Sequence, residues 1–325
     1  TQNVATVPLL WVVPLALYLV TFVLAFAQDK PSMRWSVVLL LVTMPALRSA
    51  LVRANALPIL VQLGTYAGVV FAGCSVCHGE LARLRPDASR LTSFYLAVSA
   101  GGALGGLFVN LIAPMVFDDF WELPLGVVLC WAVVVVVLWM QRGVVPQRRS
   151  RQHGWMIILS VIGLVYGLGV IRASVTAFNR ATVDATRNFY GTQRVQTMSL
   201  GDEGADVAYR LVHGTTIHGL QYIDPDRRRR PTSYFCAESG VGLALSQSRS
   251  TGRQGSQRIA VLGLGAGTLA AYGRSGDTVV FYEIDPQVIA YAQGEGGYFS
   301  YLDDAIADVQ VLKGDARLSL ERQLA

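Results

Sequence analysis

The residues with the clearest chemical potential form a glycine-rich segment directly after a short apolar run. Residues 259–268 read IAVLGLGAGT, which places Gly263, Gly265 and Gly267 at the end of a sequence typical of a buried strand. Glycine allows left-handed turn conformations and a close approach to a ligand. A helix that begins after such a turn also offers unpaired backbone N–H groups. The segment therefore predicts a ligand-binding turn.

Two carboxylates follow at the ends of the next two predicted strands. Glu283 closes the strand in VVFYEID, and Asp315 follows the strand in VLKGDA. A carboxylate at the end of the second strand can accept hydrogen bonds from both ribose hydroxyls. Together with the glycines, these residues predict a nucleoside cleft, the alternative being a structural turn. Thr268 departs from the NAD fingerprint, and the motif is typical of class I methyltransferases, which bind S-adenosylmethionine-type ligands.

The elements that would position these residues alternate between strand and helix patterns from residue 258 onward. They are Arg258–Leu262 (strand), Thr268–Gly273 (helix), Thr278–Tyr282 (strand), Pro286–Gln293 (helix), Val309–Leu312 (strand) and a helix that begins at Ala316. This order predicts a Rossmann-like α/β domain over residues 258–325, which we expect to be incomplete at its C-terminus.

A linker and a small β-rich domain are predicted before it, over residues 172–257. Its expected elements are strands at Gly191–Met198 and Asp206–Val212 and a helix at Ser239–Ser248. The basic run Arg227–Arg230 is interpreted as a solvated loop, with contact to anionic lipid headgroups as the alternative.

Composition separates the first half of the chain from the rest. The 325 residues are 52% hydrophobic and only 15% charged, against about 25% charged in soluble domains. Six apolar runs lie within residues 1–171, and all but the second are near the roughly 20 residues that cross a bilayer. They are Pro8–Ala27, Ser36–Leu47 (with a possible extension past Arg48), Ala56–Cys77, Thr92–Val116, Glu122–Met140 and Trp155–Ile171. We therefore predict a polytopic α-helical membrane domain of about six helices.

Charge supports a lipid bilayer rather than nucleic acid as the partner. The net charge is +5, and residues 1–171 contain 11 basic and 6 acidic residues, whereas residues 172–325 contain 16 of each. The basic excess thus belongs to the apolar half, where it indicates membrane topology.

Glycines at four-residue spacing predict close packing of two of these helices. Residues 99–107 read SAGGALGGL, and Gly163 and Gly167 repeat the spacing in the last run. Small residues at this spacing let helix backbones approach in lipid. A glycine-lined conduit is the alternative.

Several motifs together resemble one enzyme family. The segments GLGAGTLAAYG, FYEIDP and KGDARLSLE resemble the spermidine synthase (polyamine aminopropyltransferase) family. The segments VCHGELARLRPD, WELPLG, RNFYGTQRV, LVHGTTIHGLQ and RRRRPTSYFCAESGVGLAL extend the resemblance to its bacterial membrane-fused branch. The resemblance covers the whole chain and implies a multi-pass protein of the bacterial cytoplasmic membrane.

The resemblance also implies a reaction and a donor site. Family members transfer an aminopropyl group from decarboxylated S-adenosylmethionine to an amine and release methylthioadenosine. Gly263, Gly265 and Gly267 would line the donor, Glu283 would hold its ribose, and Asp315 would hold its adenine edge.

On the acceptor side, the resemblance implies substrate contacts from His218, Gln221 and Tyr234. This chain departs from the family where His213 replaces an expected Asp and where Phe and Cys follow Tyr234 in place of His and Glu. A cationic acceptor needs carboxylates, and no catalytic residue is assigned. The alternative function is a non-catalytic membrane subunit that docks in a larger complex, and a homo-oligomer is a further expectation.

Cysteine and histidine patterns indicate neither a metal nor a disulfide framework. Cys74, Cys77 and His78 match the C-x-x-C-H pattern of covalent haem, but the pattern falls at the end of an apolar run, and we expect no covalent cofactor. His213 and His218 lack a third ligand at metal-binding spacing.

Loop charge leaves open which side of the membrane the C-terminal domain faces. Residues 78–91 and 141–154 are rich in arginine, whereas residues 117–122 carry only acidic charges. The positive-inside rule makes both arginine-rich loops cytoplasmic and the C-terminal domain external. Adenosyl donors, however, are made in the cytosol, and Arg172, Arg180 and Arg187 after the last run favour the opposite orientation.

Overall fold

The computed structural model describes residues 9–27, 33–53, 57–141, 150–200, 206–214, 216–250 and 255–324. The chain divides into two compact units, a helical unit over Thr1–Arg180 and a sheet-containing unit over Ala181–Ala325. The division lies beyond the expected boundary at residue 171, because the last long helix continues past the apolar run to Ala181. The expected boundary at residue 257 lies inside the second unit.

Among its described residues, the helical unit contains five segments long and apolar enough to cross a membrane, together with one shorter apolar helix. The prediction of a helical domain with several apolar, membrane-length segments is thus confirmed. A π-helical turn, Phe108–Ile112, joins α4 to α5 within one continuous segment. The helices are α1 (Val12–Phe26), α2 (Met33–Val52), α3 (Ile59–Arg83), α4 (Leu91–Leu107), α5 (Ala113–Val116), α6 (Glu122–Met140) and α7 (Ser150–Ala181).

The short helix is the first and not the second. The second apolar run does extend past Arg48, and α2 reaches 20 residues. A helix backbone continues through an arginine whose long side chain can reach the headgroup region. In contrast, α1 has only 15 residues, because a turn at residues 9–11 precedes it.

The core of the helical unit lies among α2, α3, α6 and α7. Residues of α2 repeat toward this core at spacings of three and four, as expected for one helix face. Trp131 of α6 is completely buried in this cluster. The other members include Val37, Leu40, Met44 and Leu47 of α2, Val69, Ala72 and Val76 of α3, and Val170 of α7.

Polar side chains buried in α3 have partners. His78 Nδ1 is hydrogen bonded to Thr21 Oγ1 of α1 at 3.0 Å. Glu80 is paired with Arg83 one turn later, at 2.5 Å. Since a charged or polar group in lipid is costly unless it is paired, these contacts explain how α3 tolerates them.

The glycine pairs behave differently in the two helices. A Cβ at Gly163 of α7 would lie 2.6 Å from the Trp131 ring, and one at Gly167 would lie 3.1 Å from Val128. The predicted close packing is therefore confirmed for α7 against α6. In α4, all of which is described, no residue is buried. A Cβ at any of its glycines at 101, 102, 105 and 106 would meet no described atom within 4 Å.

The described part of the sheet-containing unit forms two sheets. An antiparallel sheet has the order β1-β2-β3-β4, and a parallel sheet has the order β5-β6-β7. The bounds are β1 (Thr182–Asn188), β2 (Gly191–Leu200), β3 (Asp206–His213), β4 (Thr216–Tyr222), α8 (Gly240–Ser250), β5 (Arg258–Leu262), β6 (Thr278–Glu283), α9 (Pro286–Ala292), β7 (Asp308–Lys313) and α10 (Ala316–Leu324). Side chains of both sheets, among them Val195, Leu211, Val279 and Phe281, share one hydrophobic core.

Most predicted elements of this unit are confirmed, with two kinds of exception. Strands β1 and β4 were not expected, because their sequences TVDATRN and TIHGLQY carry few apolar residues. The predicted helix at Thr268–Gly273 is only a 3₁₀ turn over Thr268–Tyr272. The five residues between Gly267 and Gly273 are too few for a stable α-helix.

Substitution of Gly163 by alanine is expected to destabilise the helical unit by about 1–3 kcal/mol, because the added methyl group overlaps the buried Trp131 ring. Thermal unfolding of the full chain in detergent, followed by circular dichroism, measures the effect. Gly105→Ala is the matched control, since its Cβ meets no described atom. Equal stability of the two variants would contradict this packing.

Candidate functional site

The three glycines of the loop after β5 all have positive φ angles, but their surroundings differ. The angles are +92° at Gly263, +57° at Gly265 and +82° at Gly267. A Cβ at Gly265 would overlap the backbone carbonyl oxygen of His218, and one at Gly267 would lie 2.9 Å from Leu302. A Cβ at Gly263 would meet no described atom within 4 Å. Gly263 is thus the position where a ligand could approach the backbone.

Glu283 fixes this loop from the end of the neighbouring strand. Its Oε2 accepts a hydrogen bond from the backbone N–H of Leu264 at 3.0 Å. Its Oε1 accepts from the N–H groups of Ile284 and Asp285, at 2.8 and 2.9 Å. These bonds hold a half-buried carboxylate in one orientation beside the glycine loop.

Asp315 lies at the same edge of the parallel sheet. The register pairs Leu262 with Tyr282 and Tyr282 with Leu312, so the carboxyl ends of β5, β6 and β7 are level. The structure therefore brings the glycine loop, Glu283 and Asp315 to one edge. Asp315 is exposed, and its Oδ1 accepts from the Leu318 N–H at 3.0 Å, which caps α10.

His218 of β4 borders the glycine loop through its backbone and faces a second imidazole. Its ring centroid lies 5.6 Å from that of His213. Burial, and then the neighbouring His213, lower the pKa of His218 below its ordinary value, while Glu283 opposes this shift. The side chain is therefore neutral at pH 7.

Gln221 is buried and forms a structural bridge. Its Nε2 donates to the Arg228 carbonyl oxygen at 2.9 Å and to Ser300 Oγ at 3.0 Å. Its Oε1 accepts from the Ser300 N–H at 2.8 Å. One N–H of the amide is thus used by the loop that follows β4 and the other by Ser300 in the segment before β7, so neither is directed into the glycine-loop edge.

Tyr234 is half exposed and is held from the same strand as His218. Its hydroxyl donates to the Ile217 carbonyl oxygen at 3.1 Å, and burial of its ring raises the Tyr234 pKa. The preceding Ser233 has φ +57°, which is uncommon for a residue other than glycine. Such backbone strain is found in segments whose position the surrounding structure fixes.

The sequence analysis missed the role of Asp285. This carboxylate is 3% exposed and accepts from Asn188 Nδ2 at 2.6 Å, from Gln193 Nε2 at 3.0 Å and from the Gln287 N–H at 2.9 Å. It caps α9 and joins the two sheets. The Asp-Pro step before a helix is a capping signal, but the side-chain partners lie more than ninety residues away.

The arginine run makes ion pairs within its own unit. Arg227 pairs with Asp206 and lies over the Tyr222 ring at 4.1 Å. Arg228 pairs with Asp304 at 2.7 Å. These contacts support the interpretation of a surface loop over headgroup recognition.

Neither metal nor haem ligation is supported by the geometry of the described residues. Within the described part of the chain, no three His, Cys, Asp or Glu side chains are arranged to hold a metal ion. Cys74, Cys77 and His78 lie within the continuous helix α3, where His78 is bonded to Thr21 and packs against the rings of Tyr18 and Phe22.

Comparison of the chain with models of known families, with curated proteins and with solved structures gave no match. The geometry at the carboxyl edge of β5, β6 and β7 is therefore the basis for assigning a function.

The lowered pKa of His218 predicts a pH dependence of stability. The unfolded side chain titrates near pH 6.5, so protonation of His218 opposes folding. Above that pH the free energy of unfolding does not depend on this group. As the pH falls below about 6.5, the free energy of unfolding decreases by at most about 1.4 kcal/mol per pH unit for one proton. As the pH is lowered, amide hydrogen exchange in β4, corrected for intrinsic rates, should accelerate more steeply in the wild type than in His218→Gln. Equal slopes would contradict the burial of a neutral His218.

Proposed function

We propose that the carboxyl edge of the parallel sheet binds an adenosyl ligand and that the second unit is a Rossmann-like domain of class I methyltransferase type. On this basis the chain is a spermidine synthase-like protein of the bacterial cytoplasmic membrane. It would transfer an aminopropyl group from decarboxylated S-adenosylmethionine to an amine. The observation that carries the proposal is the contact between Glu283 and the glycine loop, beside the open space at Gly263.

The geometry of Glu283 suits a ribose. Its Oε2 accepts one N–H and keeps capacity for a ligand hydroxyl. Because the backbone already holds the carboxylate, a nucleoside would meet a fixed acceptor and would lose less conformational entropy on binding. The open space above Gly263 allows the rest of the ligand to cross the loop.

Asp315 suits the base of the same ligand. Its Oδ1 caps α10 and so fixes the carboxylate at the sheet edge. As an exposed acceptor one strand beyond Glu283, it could receive a hydrogen bond from the amino group of adenine. Ligands of parallel α/β sheets bind outside the carboxyl ends of the strands, which is where both carboxylates lie.

The main task of the site in this reaction is to position the amine against the sulfonium. The acceptor nitrogen attacks the carbon next to the sulfonium sulfur, the carbon–sulfur bond breaks, and neutral methylthioadenosine leaves. The nitrogen loses a proton to a base, for which no residue is assigned. Holding the amine in line with the sulfonium supplies most of the rate enhancement in such a reaction.

The acceptor side favours a second candidate function. His213 and His218 face each other where a diamine would require acids, and the His213 Nε2 lies 3.0 Å from the Tyr190 carbonyl oxygen. An imidazole carries no negative charge in any of its ordinary protonation states, so this pair does not neutralise a dication. The alternative is a non-catalytic membrane subunit whose nucleoside-type fold serves as a docking platform in a larger membrane complex.

Replacement of Glu283 by alanine is expected to weaken methylthioadenosine binding by about 10- to 100-fold, the loss of a charge-assisted hydrogen bond worth about 1.5–3 kcal/mol. Calorimetry on the full chain in detergent measures this. Glu295→Ala, an exposed glutamate of the same unit, should bind normally.

Since Glu283 also holds the Leu264 N–H, Glu283→Gln serves as a second variant that preserves the side-chain shape. Thermal unfolding of each variant checks its fold. Unchanged affinity in both folded variants would refute the donor site.

Membrane topology distinguishes the two functions. Three candidate spans of the described residues separate Asp87 from the second unit. If each crosses the bilayer, these two parts of the chain lie on opposite sides of the membrane. An aminopropyltransferase supplied from the cytosol requires the second unit on the cytosolic side. Alkaline phosphatase fused after Ala325 should then be inactive, whereas alkaline phosphatase fused at Asp87 should be active. The reverse pattern would contradict the transferase and favour the non-catalytic subunit.

A further inference from the structure

Two cysteine thiols on neighbouring helices of the helical unit are in contact. Cys77 Sγ of α3 and Cys130 Sγ of α6 are 3.6 Å apart, although 53 residues separate them in the sequence. A Cβ at Gly73, one turn before Cys77, would lie 3.7 Å from Cys130 Sγ. The Cys130 sulfur therefore lies over the α3 backbone between Gly73 and Cys77.

The separation of the two sulfur atoms is short enough for a covalent bond to form after a small movement. A disulfide has an S–S distance of about 2.05 Å, so an approach of about 1.6 Å is needed, which side-chain rotation and a slight helix shift can provide. Cys74 lies one turn earlier on α3, and Cys236 belongs to the other unit. These two cysteines provide internal controls.

The location of the thiol pair restricts its oxidant. Both helices are apolar spans, and Cys77 is exposed on the outer surface of its helix, whereas Cys130 is half-buried. Cys77 lies six residues, about 9 Å, before the end of α3. A charged, water-soluble oxidant such as a glutathione disulfide would have to be desolvated to reach it. A lipid-soluble oxidant would not.

We propose that Cys77 and Cys130 form a redox-active dithiol that reduces a membrane-soluble quinone. In this step both S–H bonds break and one S–S bond forms. The two electrons and two protons pass to the quinone, which becomes a hydroquinone. Reactants and products are all neutral, so the overall reaction leaves no charge in the apolar surroundings, where a charge is costly.

Oxidation would fix the position of α6 against α3. Helix α3 packs along α1 and α2 over much of its length but meets α6 at fewer positions. Beyond the thiols, Arg83 at the end of α3 donates a hydrogen bond of 3.5 Å to the side chain of Gln141, the residue directly after α6. A disulfide would therefore add a covalent link where the packing is sparse.

The test uses the purified full chain in lipid nanodiscs, fully reduced and without oxygen, mixed with a short-chain ubiquinone analogue. Hydroquinone is measured by absorbance, thiols by maleimide labelling, and the linkage by mass spectrometry of peptides. We expect about one hydroquinone per chain, a fall from four reactive thiols to two, and a peptide joining Cys77 to Cys130.

Matched variants make the result specific. Cys77→Ser and Cys130→Ser should each abolish hydroquinone formation, whereas Cys74→Ser should react like the wild type. The proposal is overturned if the wild type reduces no quinone, if Cys77→Ser reduces it normally, or if hydrogen peroxide oxidises the pair and the quinone does not. The readout involves no adenosyl ligand, so it is independent of the function proposed for the second unit.

Discussion

The second unit depends on two carboxylates, one at the end of β6 and one two residues later at the start of α9. Glu283 holds the glycine loop through the Leu264 N–H, and Asp285 holds Asn188 and Gln193 of the other sheet. A carboxylate removed from water must be met by donors. Here some donors are neighbouring backbone N–H groups, whereas Leu264, Asn188 and Gln193 come from other parts of the unit. The strand end thereby positions the loop, the antiparallel sheet and α9 at once. The edge proposed to bind a nucleoside is consequently organised before any ligand arrives.

The helical unit follows a different constraint. In lipid, backbone groups must be satisfied within the helices, so association depends on close packing and on the few polar side chains. Gly163 lets α7 contact Trp131, and His78 joins α3 to Thr21 of α1. The thiol contact of Cys77 belongs to the same group of close approaches between helices. Helix α4 shares none of this burial within the described chain, although its sequence carries the denser glycine pattern.

The two halves of the proposed reaction have unequal structural support. The donor half rests on a fixed carboxylate, an open backbone position at Gly263 and a second acceptor at Asp315, all at the level carboxyl ends of parallel strands. The acceptor half rests on sequence resemblance, because the side chains near the loop are the neutral imidazole of His218 and its neighbour His213. The proposed site is therefore better suited to a nucleoside than to a dicationic amine, which is why a non-catalytic subunit is the second candidate function.

The sequence alone determined the local features. Hydropathy predicted the membrane segments, and apolar runs bounded by glycine, proline and aspartate predicted β5, β6 and β7 and the loops that follow them, because these signals arise from neighbouring residues. It predicted neither β1 nor β4, whose residues become strands by pairing with β2 and β3. Only the tertiary structure decided that Gln221 bridges to Ser300, that Asp285 joins two sheets, and that Cys77 meets Cys130. These partners lie 53 to 97 residues apart, and such contacts are set by how the elements pack rather than by any local pattern.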